Sequence, residues 1–370
     1  MARNKLLANF VLKPLSVAYG WVTGIRNLFF RWGILEEHSF DVPLIVVGNL
    51  AVGGTGKTPH TEMVVELMRH KYKVAVLSRG YKRSTKGFIL ASPQSTPGTI
   101  GDEPYQIYHK FSGTVPVAVC ESRVKGVQEL QRLLPDVNLI VLDDAFQHRY
   151  IKPTVSIVLT EFDRPAYEDH LLPYGRLRES YKSMSRADIV IVSKCPAEMK
   201  PLDIRLKTEK LKLRPYQSLY YSSFAYQRLK PVFPDMVSEE NRELRLDWLN
   251  REDAILALAG IANPKPFIRW LKSFAPIVKS KSYPDHYNFQ RKDLEVIKRL
   301  HSALPGNGRK FIVTTEKDAV RLANNPYFPP ELKPYIFYQP ISVKIVLGEE
   351  TPINQVIESK IKKSVKKHYN

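Results

Sequence analysis

Residues 43–58, PLIVVGNLAVGGTGKT, decide the fold of this chain. The apolar run 44–47 predicts a buried strand, and the glycine-rich loop that follows it ends at Lys57 and Thr58. Glycines leave backbone N–H groups free to converge on phosphate oxygens, and the N-terminus of the next helix adds partial positive charge. A strand, a glycine loop, a lysine and a hydroxyl in this order predict a phosphate-binding P-loop.

The predicted nucleotide-binding residues are the positions of this loop. We expect Lys57 to neutralise the β- and γ-phosphates and Thr58 to hold Mg²⁺. Ala51 replaces the first glycine of the GxxxxGK[ST] pattern, which the loop tolerates if that residue keeps a negative φ. The alternative is a glycine-rich turn without a ligand. The loop positions are Ala51, Val52, Gly53, Gly54, Thr55, Gly56, Lys57 and Thr58.

The composition indicates a two-domain protein with an anionic partner. The chain has 370 residues, 44% of them hydrophobic, which is enough for a normal core. Its formal net charge of +19 favours nucleic acid, an anionic membrane or a phosphorylated substrate. No basic–aromatic nucleic-acid motif occurs, so we expect no nucleic acid partner. Cys120 and Cys195 lie beside apolar runs and predict reduced core residues in a cytoplasmic protein.

The first 35 residues predict a basic amphipathic helix that lies on a membrane. Polar or glycine positions recur from Asn9 to Arg31 with a mean step of about 3.7 residues, the helical period. Apolar and aromatic residues lie between them, and no acidic residue occurs before residue 33. Such a helix suits the headgroup layer of an anionic membrane. Lys13–Pro14 argues against a spanning helix, no signal-peptide cleavage site is obvious, and a helix packed on its own domain remains an alternative.

Strands alternate with helical stretches after the loop and predict a parallel sheet flanked by helices. Polar clusters follow these strands, at the edge where open α/β sheets bind ligands. One cluster is Ser78–Tyr81; another is the acidic pair that ends 138–144, NLIVLDD, a Walker B arrangement that would bind Mg²⁺. The sequence Lys194-Cys195-Pro196 lacks the Asp with which guanine-specific P-loop proteins read the base, which favours ATP over GTP.

The composition shifts after residue 200 and predicts a domain junction near residue 215. We expect a membrane-binding helix in 1–35, a P-loop nucleotide-binding α/β domain in 36–215, and a C-terminal α/β domain in 216–370 with a hinge near 216–230. The predicted fold class is therefore α/β, a P-loop NTPase-like α/β/α sandwich with a second, smaller α/β domain. The lysine-rich tail beyond residue 359 predicts a solvated charge run, with membrane adhesion as the alternative.

The residues alone do not decide between a structural and a functional role for two further segments. Asp102 and Glu103 precede Pro104, which fits the first turn of a helix, and this spacing favours a helix cap over a carboxylate pair facing the nucleotide. His286 follows Asp285 in YPDHY, and without further information it is an ordinary loop histidine.

Taken together, these motifs resemble the tetraacyldisaccharide 4'-kinase (lipid A 4'-kinase) family of Gram-negative bacteria. The family usually carries Gly where this chain has Ala145, which affects only the local backbone. The resemblance implies transfer of the ATP γ-phosphate to the 4'-hydroxyl of a tetraacylated glucosamine disaccharide 1-phosphate, between two α/β/α domains joined by a two-stranded hinge. The shared segments are VGNLAVGGTGKTPH, SRGY, GDEP, LDDAFQHR, LLPYGRLRES, YPDHYNF and TTEKDAV.

The resemblance also implies roles for single residues. Asp102, paired with His286, acts on the sugar hydroxyl, Lys57 contacts phosphate, and His286 arrives from the second domain when the cleft closes. The implied groups around the metal are Thr58, Glu103, Asp143 and Asp144. The implied substrate-binding residues are Arg79, Tyr81, Gln147 and His148.

Several points stay open on the sequence. We expect a monomer bound peripherally to the cytoplasmic face of the inner membrane, with ATP and Mg²⁺ as cofactors. The alternative function is a membrane-associated P-loop NTPase that acts as a switch. Candidates for the anomeric phosphate of the disaccharide, since Arg suits bidentate phosphate contacts, are Arg79, Arg123, Arg149, Arg176 and Arg178.

Overall fold

The structure is a computed structural model that describes residues 8–242, 244–275 and 277–368. The strands are β1 (Leu44–Asn49), β2 (Val74–Ser78), β3 (Ile89–Leu90), β4 (Val117–Val119), β5 (Leu139–Asp143), β6 (Val155–Glu161), β7 (Ile189–Ser193), β8 (Ser218–Tyr226), β9 (Lys230–Pro231), β10 (Ala254–Ala259), β11 (Ile277–Ser282), β12 (Lys310–Thr315), β13 (Ile336–Gln339) and β14 (Ile341–Gly348).

Helices occupy most of the intervening segments. The α-helices are α1 (Lys13–Arg31), α2 (Lys57–Met68), α3 (Pro97–Ile100), α4 (Asp102–Lys110), α5 (Arg123–Leu133), α6 (Pro201–Leu211), α7 (Lys265–Lys272), α8 (Arg291–Ser302), α9 (Glu316–Ala323) and α10 (Ile353–His368). A π-helical turn at Ala8–Leu12 precedes α1. The 3₁₀ turns are Ala166–Glu168, Tyr181–Arg186, Pro234–Met236, Glu239–Asn241, Leu246–Trp248 and Pro330–Tyr335.

Two sheets organise the described residues. The larger has nine strands in the order β14-β8-β7-β6-β1-β5-β2-β4-β3, and the smaller has five in the order β11-β10-β12-β13-β9. β1 pairs in parallel with both β5 and β6. Alternate residues of β1 enter two separate hydrophobic clusters, Leu44 and Val46 on one face and Ile45 and Val47 on the other. Both faces are covered by helices, which is why the strand is apolar throughout, and the predicted α/β class is confirmed.

Two chain segments connect the sheets. The chain leaves the larger sheet after β8 to enter β9, and it returns from β13 to β14, which pairs antiparallel with β8. The two crossings touch, since the Gln227 N–H donates to the Pro340 carbonyl at 3.0 Å. Pro340 also separates β13 from β14, which lie in different sheets. The larger sheet thus has a two-stranded link to the smaller one.

The end of the chain differs from the predicted division at residue 215. That division assigned all of 216–370 to the second domain, whereas β8, β14 and α10 belong to the larger sheet and its helices. The reason is the apolar face of α10, whose Ile353, Ile357 and Ile361 are buried against the cluster that contains β1. The predicted solvated charge run is therefore half of an amphipathic helix over its described part.

The N-terminal helix α1 packs one side on the larger domain. Ser16 Oγ donates to the Leu171 carbonyl at 2.8 Å, and Tyr19 donates to the Arg178 carbonyl at 2.9 Å. Phe30 is buried with its ring edge-on to Tyr150. Residues 1–7 of the predicted helix lie outside the described residues. No helix in the described ranges has the length and apolar character needed to cross a membrane.

Candidate active site

The glycine loop between β1 and α2 has the conformation that a phosphate-binding loop requires. Gly53 and Gly56 have φ of +104° and +91°, a region that favours glycine. A Cβ at Gly53 or Gly54 would meet nothing within 4 Å, so this side of the loop is open to a ligand. Ala51 is not among the residues with positive φ, so alanine replaces the glycine of the pattern without strain.

Buried polar contacts support the loop from behind. Asn49 at the end of β1 donates to Thr55 Oγ1 at 2.6 Å. His60 on α2 contacts the Gly56 carbonyl through Nδ1 at 2.7 Å and Ser222 Oγ on β8 through Nε2 at 2.8 Å. Burial lowers the pKa of His60 to about 4, so Nδ1 carries the proton and donates to the carbonyl. The loop is therefore tied directly to the strand that leads into the link between the sheets.

The acidic pair follows β5, the strand beside β1. Asp143 is fully buried and accepts a hydrogen bond from Thr61 Oγ1 at 2.8 Å through Oδ1, while its Oδ2 has no partner. Burial, followed by the charges of Glu103 and Asp144, raises the pKa of Asp143 to about 7. Lys57 Nζ lies 3.7 Å from Asp144 Oδ2. Loop lysine and acids thus converge at one edge of the sheet.

The backbone at this acidic pair explains why Ala145 is tolerated. Asp144 has a φ of +46°, whereas Ala145 is not among the residues with positive φ. Asp tolerates this left-handed region better than most residues with a side chain. The substitution of Gly by Ala at residue 145 therefore leaves the loop conformation without added strain.

The acids fit a divalent cation bound together with phosphate. Among the described residues, no group of three or more His, Cys, Asp and Glu is placed to bind a metal unaided. Mg²⁺ does not need one, because it usually takes one or two carboxylates, water and substrate phosphates. The buried Oδ2 of Asp143, which has no hydrogen-bond partner, is an oxygen that would bind such an ion, and the charges of Glu103 and Asp144 act on the same carboxyl.

Asp102 and His286 meet across the two domains. His286 Nδ1 lies 3.1 Å from Asp102 Oδ2, and the Tyr81 ring lies edge-on to the imidazole at 6.0 Å. The N-cap of α4 is Gly101, and the Asp102 carboxylate is directed at His286 and Arg321. Burial opposes ionisation of Asp102, but hydrogen bonds from His286 and Arg321 outweigh it and keep the pKa of this carboxyl well below its usual value.

Two cations of α9 complete this cluster, and the sequence analysis missed both roles. Arg321 donates to both carboxylate oxygens of Asp102, from Nε at 3.2 Å and from Nη2. Lys317 Nζ lies 2.8 Å from His286 Nε2 and 3.0 Å from Asp285 Oδ1. The signal was present, because Lys317 and Arg321 have the i, i+4 spacing of one helix face directly after the Thr315 cap.

The residues expected to bind substrate lie near each other at the edge of the larger sheet. Gln147 is held by the framework, since it donates to the Asn49 carbonyl at 2.6 Å and accepts from Arg178. Burial, then the positive charges of Arg123, Arg26 and Arg79, lowers the pKa of His148 to about 4. The positive charge of these arginines around His148 favours binding of an anionic group of a ligand.

The five arginines that are candidates for binding the anomeric phosphate differ in their contacts. Arg149, Arg176 and Arg178 pair with Glu37, Asp169 and Asp144 at 2.6, 2.8 and 3.0 Å. Arg123 is buried and donates to the Cys120 and Asp143 carbonyls. Within the described part of the chain, Arg79 has no acidic partner, and it is exposed immediately after β2. Tyr81, next but one, is 61% exposed.

These contacts define the site of a P-loop kinase, because a phosphate loop, an acidic pair and an Asp–His pair occur together. The family model for tetraacyldisaccharide-1-P 4'-kinase matches residues 8–362. The chain therefore belongs to the tetraacyldisaccharide 4'-kinase family, and the resemblance inferred from its motifs is confirmed.

Individual relatives agree over nearly the whole chain. The tetraacyldisaccharide 4'-kinase of Bacteroides thetaiotaomicron is 49% identical, covering 94% of this chain and 91% of the relative. That of Flavobacterium johnsoniae is 42% identical, covering 90% and 91%. Among solved structures, LpxK from Aquifex aeolicus in complex with ATP is 28% identical with a TM-score of 0.71, covering 97% of this chain and 99% of that one.

Proposed function

We propose that this chain transfers the γ-phosphate of ATP to the 4'-hydroxyl of a tetraacylated glucosamine disaccharide 1-phosphate. The observation that carries the proposal is the contact between Asp102 and His286. Asp102 is followed by Glu103, whose charge acts on Asp143, and Asp144 lies beside Lys57. A proton-accepting pair is thus linked through adjacent residues to the phosphate loop.

On the nucleotide side, the loop 51–58 supplies backbone N–H groups and the start of α2 for the phosphates. Lys57 neutralises charge on the β- and γ-phosphates. Thr58, Asp143, Glu103 and Asp144 would hold Mg²⁺, which would offset the negative charge of the phosphates. ATP is bound by the family relative from Aquifex aeolicus, which supports ATP as the donor.

The chemical step makes one bond and breaks one. The 4'-oxygen of the sugar bonds to the γ-phosphorus, the bond from that phosphorus to the β,γ-bridging oxygen breaks, and ADP leaves with the electron pair. The hydroxyl proton passes to the Asp102–His286 pair. This transfer needs positioning and charge neutralisation more than covalent help, and closure of the two domains on each other would supply the positioning.

On the acceptor side, we assign the substrate phosphate to the positive edge that contains Arg79 and His148, with Tyr81 and Gln147 beside it. Among the candidate arginines, Arg79 is the best placed to bind phosphate. Arg149, Arg176 and Arg178 are already paired with carboxylates. A planar guanidinium suits bidentate contact with a phosphate group.

The outer side of α1 supports peripheral binding to a membrane surface. Trp21 is 73% and Val22 68% exposed, while the inner side is held on the domain by Ser16 and Tyr19. An apolar outer face with basic flanks suits the headgroup layer of an anionic bilayer. Because the relatives come from Gram-negative bacteria and ATP is cytoplasmic, we place the protein on the cytoplasmic face of the inner membrane.

Vesicle binding tests this surface. Trp21→Glu should release the protein from vesicles that contain phosphatidylglycerol. Trp248→Glu, at a tryptophan 57% exposed on the second domain, is the matched control and should bind as the wild type does. Equal binding by Trp21→Glu and wild type would remove the membrane role of α1.

The activity itself is tested in detergent micelles with ATP and Mg²⁺, with and without the disaccharide 1-phosphate. We expect a phosphorylated lipid and lipid-dependent ADP formation. Lipid-independent hydrolysis without phosphorylated lipid would favour the switch. His286→Ala should lower turnover far more than ATP affinity; an equal loss of both would indicate a role in folding.

A further inference from the structure

The charged face of α9 that meets the Asp102–His286 pair has no role in the function proposed so far. It presents Lys317 and Arg321, one turn apart. Arg321 is 9% exposed in its side chain and donates to both oxygens of Asp102. Its Nη1 also donates to the Tyr287 carbonyl at 3.3 Å and lies 3.9 Å from Asp318. The guanidinium is therefore fixed on both sides.

The contacts select one tautomer of His286. The ammonium of Lys317 has only donors, so its 2.8 Å contact requires a lone pair on His286 Nε2. The ring proton then sits on Nδ1 and points at Asp102 Oδ2 at 3.1 Å. Arg321 Nη2 also lies 2.9 Å from Nδ1, but its N–H donates to that same Asp102 oxygen, so only the Nδ1–H tautomer satisfies both Asp102 and Lys317. Asp102 has one lone pair left for a substrate hydroxyl, on Oδ1. Its Oδ2 accepts from both Arg321 and His286, and its Oδ1 accepts from Arg321.

We propose that Arg321 is a positioning residue that clamps Asp102, so that Asp102 orients His286 and the lone pair on His286 Nε2 receives the hydroxyl proton. The inference rests on the proposed kinase function and refines it, since it makes His286 the proton acceptor and Asp102 the residue that orients it. A hydroxyl that donates to Nε2 takes the place that Lys317 occupies in the structure. Asp102 then stabilises the imidazolium through Nδ1–H, as an orienting carboxylate does beside a general base.

Turnover of Arg321→Ala is the first test. Loss of the clamp should lower kcat about 100-fold, in the range typical of general base catalysis, with the KM for ATP changed less than about 3-fold. Guanidinium ion at millimolar concentration should restore part of kcat in Arg321→Ala and none in His286→Ala, where there is no imidazole to orient. Arg321→Lys keeps the positive charge but loses the planar guanidinium that binds both oxygens of a carboxylate, so its kcat should remain well below that of the wild type.

Asn324→Ala, at the C-cap of the same helix, provides the matched control. Asn324 joins α9 to Tyr105 of α4 at 3.1 Å but does not touch the pair, so this variant should keep turnover within about 3-fold of the wild type. If Arg321→Ala is as active as Asn324→Ala while the wild type phosphorylates the disaccharide, the inference is overturned and the kinase function stands. If the wild type phosphorylates no lipid, the function fails instead.

A measurement without turnover covers the case in which Arg321→Ala does not fold. The ¹⁵N chemical shift of His286 Nε2 in the wild-type protein should be that of an unprotonated ring nitrogen, with the proton on Nδ1. Arg321→Lys should shift the ring toward the other tautomer. A protonated Nε2 in the wild type would overturn the assignment of this atom as proton acceptor.

Discussion

Thr61 Oγ1 donates a 2.8 Å hydrogen bond to Asp143 Oδ1, one helical turn after the loop lysine, and leaves Asp143 Oδ2 without a partner. The carboxylate is buried beside Glu103 and Asp144, which together with burial raise its pKa to about 7. Asp143→Asn should keep the Thr61 bond and lower single-turnover phosphoryl transfer at least about 100-fold. It should also raise the melting temperature of the nucleotide-free protein at pH 8, because no buried charge then has to form.

Thr61→Val is the control for this prediction. It keeps the acid but removes its hydrogen bond, which should destabilise the protein by about 1–3 kcal/mol and reduce phosphoryl transfer much less than Asp143→Asn. An Asp143→Asn protein that melts below the wild type at pH 8 would show that the buried carboxylate supports the fold instead of the ligand site.

The sequence predicts the P-loop side of this site well because its signals are local. A continuous apolar run followed by glycines, Lys57 and Thr58 is typical of a strand and a P-loop. The acidic pair is predicted in the same way, because it directly follows the apolar run that forms β5. The contact of Asp102 with His286 joins residues 184 apart, and neither spacing nor periodicity reveals a contact at that separation. Only the resemblance to a family predicted it.

The errors have physical causes that can be assigned to particular residues. The lysines of α10 suggested a solvated tail, although Ile353, Ile357 and Ile361 already had the spacing of a buried helix face. The pairing of Arg321 with Asp102 has no local signal, because the two residues lie 219 residues apart in the sequence.

His60 should make the protein sensitive to acid. Its pKa falls from 6.5 when unfolded to about 4 in the buried native state, so between these values the unfolded chain binds more protons. Stability is undiminished above about pH 6.5 and decreases as the pH falls toward 4, by about 3 kcal/mol for this group. His60→Gln should lessen that loss in urea unfolding measured from pH 7 to 4. His70→Gln, at an exposed histidine, should not.

Gly20 allows α1 to approach the loop that contains Leu171. A Cβ at Gly20 would lie 2.7 Å from Leu171 Cδ1, whereas a Cβ at Gly24 would meet nothing within 4 Å. Gly20→Leu should therefore loosen α1, while Gly24→Leu, with the same gain in helix propensity, should not. Hydrogen exchange of α1 amides should rise in the first variant only. Its KM for the lipid should rise as well, because Arg26 supports the Gln147 carbonyl from this helix. Identical behaviour of the two variants would contradict this account of the docking.

Lys110 joins three helices of the two domains, since it lies at the end of α4 between Glu62 of α2 and Glu316 of α9. Its Nζ is 2.5 Å from Glu62 and 3.7 Å from Glu316. Burial raises the pKa of Glu62 to about 7 even though Lys110 opposes the shift. Lys110→Met should cost about 3–5 kcal/mol of unfolding free energy, because it leaves a buried carboxylate without its cation.

The pH dependence of this loss separates charge from packing. A carboxyl whose native pKa lies above its unfolded value binds an extra proton when folded, so its contribution declines as the pH rises. Without Lys110 the native pKa of Glu62 rises further. The loss of unfolding free energy in Lys110→Met, measured with urea, should therefore be larger at pH 8 than at pH 5.5. Glu62→Gln added to Lys110→Met should restore part of the stability at pH 8. Lys71→Met removes a 2.5 Å pair with Glu358 at an exposed lysine and should cost much less stability than Lys110→Met, because solvent screens exposed pairs. A similar loss of stability in both variants would contradict the importance of burial at Lys110.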